Sequence, residues 1–315
     1  MEDMAEPYFI LTDTDVAEHL TMSVAVAKME DAFRELAAGT LAAPPRFRVE
    51  APNGALVFTA GAAMGAEQAI GFRVYDTFSS AASTEQTQLV VVFNSETGRF
   101  KGVVIGAVIG AMRTGAIGGV AIKYLARPDA QVLAVVGAGF QARTQIRAAM
   151  AVRSFKQVYV SSRTRSSAEK FRDEVVTEFG VPCEATDAQT AVQNADVVLC
   201  ATTSRTPVLE TAWLKAGTHI NQVGPKGFGA SELPASITDI ATLIATDSVA
   251  QTRAYDKPHF VTDESRFVGL ESVVVGDVPG RLHDDNITLF CSVGLAGTEV
   301  VLANHLLNLK RDFVG

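Results

Sequence analysis

The chain has 315 residues, which suits roughly two domains of about 150 residues each. Its 27 Lys plus Arg against 35 Asp plus Glu leave a formal charge of −8, which argues against a nucleic-acid binder with its basic face. With 48% hydrophobic and 20% charged residues the chain can bury a large core, and disorder is excluded.

In chain order, residues 13–38 have helical character with a break near Thr21-Met22-Ser23, stopping at Gly39 ahead of Pro44-Pro45. Strand character follows at 47–50, 55–59, 70–77 and 88–94. Asn94-Ser-Glu-Thr-Gly98 is a turn signal, and 100–105 reads as the returning arm of a hairpin. Residues 113–127 read as a helix that stops before Pro128. Strands at 131–136 and 157–161 then alternate with helices at 140–152 and 166–179. Short strands come later at 197–201, 219–223 and 243–246, and a final helix at 295–309 is free to return to the first domain. This alternation predicts an α/β fold, a parallel sheet with helices on both faces, preceded by an α+β region.

No run reaches the ~18 apolar residues of a membrane helix, and the acidic start Met1-Glu-Asp-Met-Ala-Glu-Pro7 is unlike a signal peptide. Cys183, Cys200 and Cys291 are odd in number, and neither they nor the five histidines have metal-ligand spacing. A cytoplasmic protein is expected, without metal, nucleic-acid or membrane partners. Cys200, on an apolar strand, reads as core rather than nucleophile.

Gly137-Ala-Gly139-Phe140-Gln141-Ala142 is a G-x-G-x-x-A pattern directly after a strand and opening a helix. Gly137 makes the tight turn, Gly139 admits a pyrophosphate to the backbone, and Ala142 lets the helix approach the sheet. The pattern has the structural context it requires, so dinucleotide binding is expected. The second strand ends in Ser162-Arg163-Thr164-Arg165 with no acid for ribose hydroxyls. That suits a 2′-phosphate, so NADP is expected, with NAD as the alternative.

Residues 94–115 and 132–142 together resemble the ornithine cyclodeaminase/mu-crystallin family. The resemblance continues through Ser161-Ser-Arg-Thr164, Ala195-Asp-Val-Val198, Gly217-Thr-His-Ile-Asn-Gln-Val-Gly224, Gly276-Asp-Val-Pro-Gly-Arg281 and 289–296. It implies a Rossmann domain at 116–298 and an α+β substrate and dimerisation domain at 1–115 with 299–315, in a homodimer. It also implies hydride transfer to or from a C=N bond of a small imino or amino acid. A mu-crystallin-like binder without turnover is the alternative.

By the same resemblance Arg113 pairs with a substrate carboxylate, a role that suits a planar bidentate fork. Thr114 contacts cofactor phosphate, and Val223 and Gly224 join the cofactor-binding set. Arg46 is the second carboxylate arginine, with Arg48 as a competing alignment. Two positions depart from the family. Arg73 stands where the family has a catalytic lysine, and Lys226 where it has a catalytic aspartate. Arg73 keeps its charge but cannot exchange a proton near neutrality, whereas a lysine can when its pKa is lowered. Lys226 supplies no carboxylate for a departing amine, so ornithine cyclodeamination itself is not expected. Glu299 lies near a family aspartate and is either a pocket support or a helix-surface charge.

Overall fold

The computed structural model describes residues 8–78, 88–255 and 258–314. The chain divides into two compact units, Met1–Arg113 with Leu295–Gly315, and Thr114–Gly294.

The first unit opens with β1 (Phe9–Thr12), α1 (Asp13–His19) and α2 (Met22–Ala37). The helical stretch breaks where Thr21 leaves the helix conformation and its side chain accepts the Val24 N–H, capping α2. Ala25, Val26, Met29, Ala32 and Phe33 recur at helical spacing and form its buried face. Strands β2 (Leu41–Ala42), β3 (Phe47–Ala51), β4 (Gly54–Ala63), β5 (Ala69–Asp76), β6 (Gln88–Asn94) and β7 (Phe100–Ile105) follow. They form a seven-stranded sheet in the order β1-β7-β6-β5-β4-β2, with β3 also paired to β4. Only β1 runs parallel to its neighbour, β7. The C-terminal helix, Thr298–Val314, packs on β4 to β7 and on α2. It starts three residues later than expected because Gly297 sits at φ +83°, outside the helical region.

The helix expected from Arg113 begins five residues earlier, as α3 (Val108–Leu125). Its start is capped from far along the chain: the Asp13 carboxylate accepts the N–H groups of Ala107 (3.0 Å) and Val108 (2.8 Å). A cap supplied 95 residues away has no local sequence signal.

The second unit carries β8 (Val132–Val136), α4 (Phe140–Val152), β9 (Gln157–Ser161), α5 (Arg165–Phe179), β10 (Cys183–Ala185), α6 (Ala188–Asn194), β11 (Val197–Cys200) and β12 (His219–Gln222). A hairpin of β13 (Lys226–Gly227) and β14 (Ala230–Ser231) follows, then α7 (Ile237–Ile240), β15 (Ala241–Thr246), α8 (Val249–Arg253), β16 (Phe267–Gly269), α9 (Leu270–Val274) and β17 (Ile287–Cys291). The eight-stranded sheet is parallel throughout, in the order β10-β9-β8-β11-β12-β17-β15-β16. Alternate residues of β8 feed two cores, Leu133 and Val135 on one face, Ala134 and Val136 on the other. Strand β17 slots between β12 and β15, which the sequence reading missed. Among the described residues no helix is long and apolar enough to cross a membrane.

Candidate functional site

Strand β8 has β9 on one side and β11 on the other, so the chain changes direction across the sheet at β8. In parallel sheets of this kind ligands bind beyond the carboxyl ends of the strands at such a point. The glycine turn lies there. Gly137 has φ +114°, and a Cβ on it would come within 2.4 Å of the Ala201 carbonyl oxygen. Gly139 caps α4, and a Cβ there would meet nothing within 4 Å. No side chain caps α4, so its first N–H groups are available to an anion. Ala142 is fully buried, Gln141 is half-buried and Phe140 is exposed.

A cavity of about 630 Å³ opens over this turn, lined among others by Gly137, Gly139, Ser162, Arg163, Thr164 and Thr202. The open space above Gly139, the uncapped helix and the polar lining fit a dinucleotide pyrophosphate. Arg163 is exposed and has no hydrogen-bond or ion-pair partner among the described residues, whereas Arg165 pairs with Glu169 at 2.8 Å. Thr164 caps α5, accepting the Ser167 N–H. Thr114 accepts a hydrogen bond from Gln145 Nε2 at its carbonyl (3.0 Å). Val223 and Gly224 follow β12, where Gly224 N–H donates to Glu232 Oε1 at 2.5 Å. Lys226, expected in a glycine-rich turn, is buried on β13, and its Nζ donates to the carbonyls of Val223 (3.0 Å) and Gly224 (2.6 Å).

In the first unit the residues gather on the helix-covered face of the sheet. Arg73 on β5 and Arg113 on α3 are both buried, and both reach Glu299 in the first turn of the C-terminal helix. Arg73 Nη1 donates to Glu299 Oε1 at 3.0 Å, and Arg113 Nε donates to the same oxygen at 2.9 Å, with Nη2 at 2.8 Å. Gln88 Oε1 accepts from Arg73 Nε (3.0 Å) and Nη2 (2.5 Å), and the guanidinium lies 4.3 Å from the Tyr75 ring centre. Burial opposes ionisation of Glu299, but Arg113 and Arg73 outweigh it and hold its carboxyl below its ordinary value. Burial pushes Arg73 down from its ordinary value, with Glu299 opposing and Arg113 reinforcing the shift.

Arg46 directs Nη1 toward the Tyr75 hydroxyl at 3.4 Å, while Arg48 pairs with Glu50 at the surface. Thr59, the cross-strand partner of Arg73, has a buried hydroxyl with no partner among the described residues. Sequence reading missed Gln88 and Glu232. Gln88 shares the buried side of its strand with Val90 and Val92, and that alternation was the available signal. Glu299 is a buried carboxylate rather than a surface charge, at 1% exposure. Cys200 is fully buried in the core, and burial raises its thiol pKa well above the ordinary value. No group of three or more potential metal ligands occurs among the described residues.

The sequence pattern of the ornithine cyclodeaminase/mu-crystallin family matches residues 7–309. A Thermococcus litoralis Δ1-pyrroline-2-carboxylate reductase, solved with NADH and L-proline, is 29% identical with TM-score 0.89, covering 97% of this chain and 98% of that one. An archaeal alanine dehydrogenase dimer with bound NAD is 28% identical with TM-score 0.88, covering 97% of each chain. The iminosuccinate reductase of Paracoccus denitrificans is 33% identical over 227 residues, 70% of each chain.

Proposed function

The chain belongs to the ornithine cyclodeaminase/mu-crystallin family, and from that premise we propose that it is an NAD(P)H-dependent oxidoreductase acting on the C–N bond of a small imino or amino acid. The observation that carries the reading is the buried guanidinium pair. Arg113 commits Nε and Nη2 to Glu299, which leaves Nη1 without a partner among the described residues. Arg73 is fixed by Gln88, Glu299 and Tyr75 and holds a permanent charge beside it. A buried anion is costly unless it is paired, so this pair selects a carboxylate.

When bound, the reduced nicotinamide supplies a hydride. The chain's own part is to hold the substrate by its carboxylate, so that the adjacent C=N carbon is the one presented. The nitrogen takes its proton from water. Arg73 cannot provide it. Relatives that reduce pyrroline-2-carboxylate and iminosuccinate or oxidise alanine share this chemistry, a C–N bond next to a carboxylate.

NADP is the preferred cofactor in this reading, on the strength of the unpartnered Arg163 and the absence of an acid after β9. The protein works as a cytoplasmic homodimer. Its three cysteines are free, in keeping with a reducing compartment.

The test is a screen of cyclic ketimines, and of α-keto acids with ammonia or methylamine, following NADPH and NADH oxidation. Turnover with at least one substrate is expected. Arg113→Lys, which removes the planar fork, is expected to raise the substrate KM about tenfold to a hundredfold and leave cofactor affinity unchanged. Cofactor binding without oxidation of any substrate would leave a binding protein and overturn the reading.

A further inference from the structure

Two buried side chains of opposite charge hold the turn after β12. Lys226 approaches from one side, its Nζ donating to the carbonyls of Val223 at 3.0 Å and Gly224 at 2.6 Å. Glu232 approaches from the other, with Oε1 accepting the Gly224 N–H at 2.5 Å. Its Oε2 accepts the Thr202 N–H at 2.9 Å and the Thr202 hydroxyl at 2.7 Å. Lys226 is 9% exposed and Glu232 fully buried, yet among the described residues no ion pair joins them. Each spends its charge on backbone. Burial raises the Glu232 pKa, and the Thr202 and Gly224 donors and Lys226 work against that shift.

Position tells what this arrangement serves. The hairpin of β13 and β14 brings Lys226 opposite Ser231, next to Glu232. Glu232 thereby ties the segment after β11 to the turn after β12. A Cβ at Gly224 would come within 2.3 Å of the Thr202 carbonyl oxygen and 2.4 Å of Glu232 Oε2, so the two backbones meet as closely as glycine permits. Both segments lie at the carboxyl ends of parallel strands, on the far side of β8 from β9. With the pyrophosphate at the turn after β8 and the adenosine end at Ser162–Thr164 after β9, the nicotinamide half faces the ends of β11 and β12.

We propose that Lys226 and Glu232 are a pair of positioning residues that clamp the Val223-Gly224 and Thr202 backbone against the nicotinamide half of the cofactor. The inference rests on the dinucleotide-dependent reading above. It gives the exchanged residue Lys226 a structural role, since two of its three ammonium hydrogens hold carbonyls. Glu232→Gln always turns an amide donor toward a backbone N–H, either that of Gly224 or that of Thr202.

The experiment compares wild type, Lys226→Met, Lys226→Arg and Glu232→Gln by titration with NADPH and with ADP-ribose, which lacks the nicotinamide, and by amide hydrogen exchange. Lys226→Met and Glu232→Gln are expected to weaken NADPH about tenfold or more and ADP-ribose less than about twofold. Exchange at the 223–224 amides is expected to accelerate in both, and Lys226→Arg to restore part of the loss. Equal weakening of both ligands would mean general damage and overturn the inference. So would unchanged binding and exchange with lost turnover, which would make Lys226 the proton donor. If wild type binds no dinucleotide, the functional reading fails, while unchanged exchange in the variants would separately refute the clamp.

Discussion

Arg163 and Arg165 stand two residues apart, and their surroundings give them different work. Arg165 is spent on Glu169 one helical turn along, a surface pair worth little. Arg163 lines the cavity beside the glycine turn with its guanidinium uncommitted among the described residues. Arg163→Ala is therefore expected to weaken NADPH about tenfold to a hundredfold, by loss of a charge-assisted contact of ~1.5–3 kcal/mol, and to change NADH little. Fluorescence titration with both cofactors checks it. Equal weakening would show that Arg163 does not read the 2′-phosphate. Arg165→Ala should affect neither cofactor.

Elements carry the next constraint, and glycines at close approaches separate fold from function. On β5, a Cβ at Gly71 would lie 2.0 Å from the Val91 carbonyl oxygen of β6, so the sheet itself requires glycine there. At the start of α4 the situation is reversed. Gly139 has φ −87° and ψ −171°, a conformation any residue adopts, and open space around it. Gly139→Ala should change stability by less than about 0.5 kcal/mol. It should nevertheless raise the dinucleotide Kd at least about tenfold, because the added methyl occupies the path of the pyrophosphate to the helix N-terminus. A melting curve and a cofactor titration on one sample decide it. Full-affinity binding by the variant would mean the pyrophosphate does not approach the helix over Gly139.

At the scale of the whole molecule, the first unit's sheet leaves one face apolar and exposed. Ile10, Ile105, Ile70, Leu56, Phe47 and Val49 lie on that face, and none is less than 37% exposed. Such a patch marks an interface, and in the homodimer proposed above this face would form the contact. Ile105→Lys should shift the protein from dimer to monomer in light scattering. A monomeric wild type would remove the assignment.

Stability against acid belongs to the same scale. His219 is fully buried between Thr288 and Asn221, and burial lowers its pKa from 6.5 to about 3. The folded state keeps the ring neutral, so the unfolded chain binds the additional proton, and stability falls as pH drops from about 6.5 toward 3. At about pH 5.5 the loss is on the order of 1 kcal/mol. His259, also lowered to about 3 by burial, contributes with the same sign. Unfolding of wild type and His219→Asn at about pH 7 and 5.5 tests this: the variant should lose part of the pH dependence, and an unchanged slope would contradict it.

The sequence alone determined what short-range rules govern. Helix α4 occupies the expected residues 140–152, because the turn residues before it and the spacing along it are local. Strands β8 and β9 follow from runs of β-branched and apolar residues between breakers, and the dinucleotide motif is written in closely spaced glycines. Strand β17 was not legible, since a five-residue run that is apolar but for Thr288 fits a buried helix as well as a strand, and only its seat between β12 and β15 decides between them. The early start of α3 needed Asp13, brought from 95 residues away. Glu299 shows the same limit most sharply. A carboxylate in the first turn of a helix looks like an ordinary dipole partner. Its true neighbours, Arg113 and Arg73, are 186 and 226 residues distant and meet it only because the last helix returns across the first sheet. Local propensity fixes elements such as α4, β8 and β9. Burial of their apolar faces decides which polar residues are carried inside with them, and there an unpaired charge is too costly to remain.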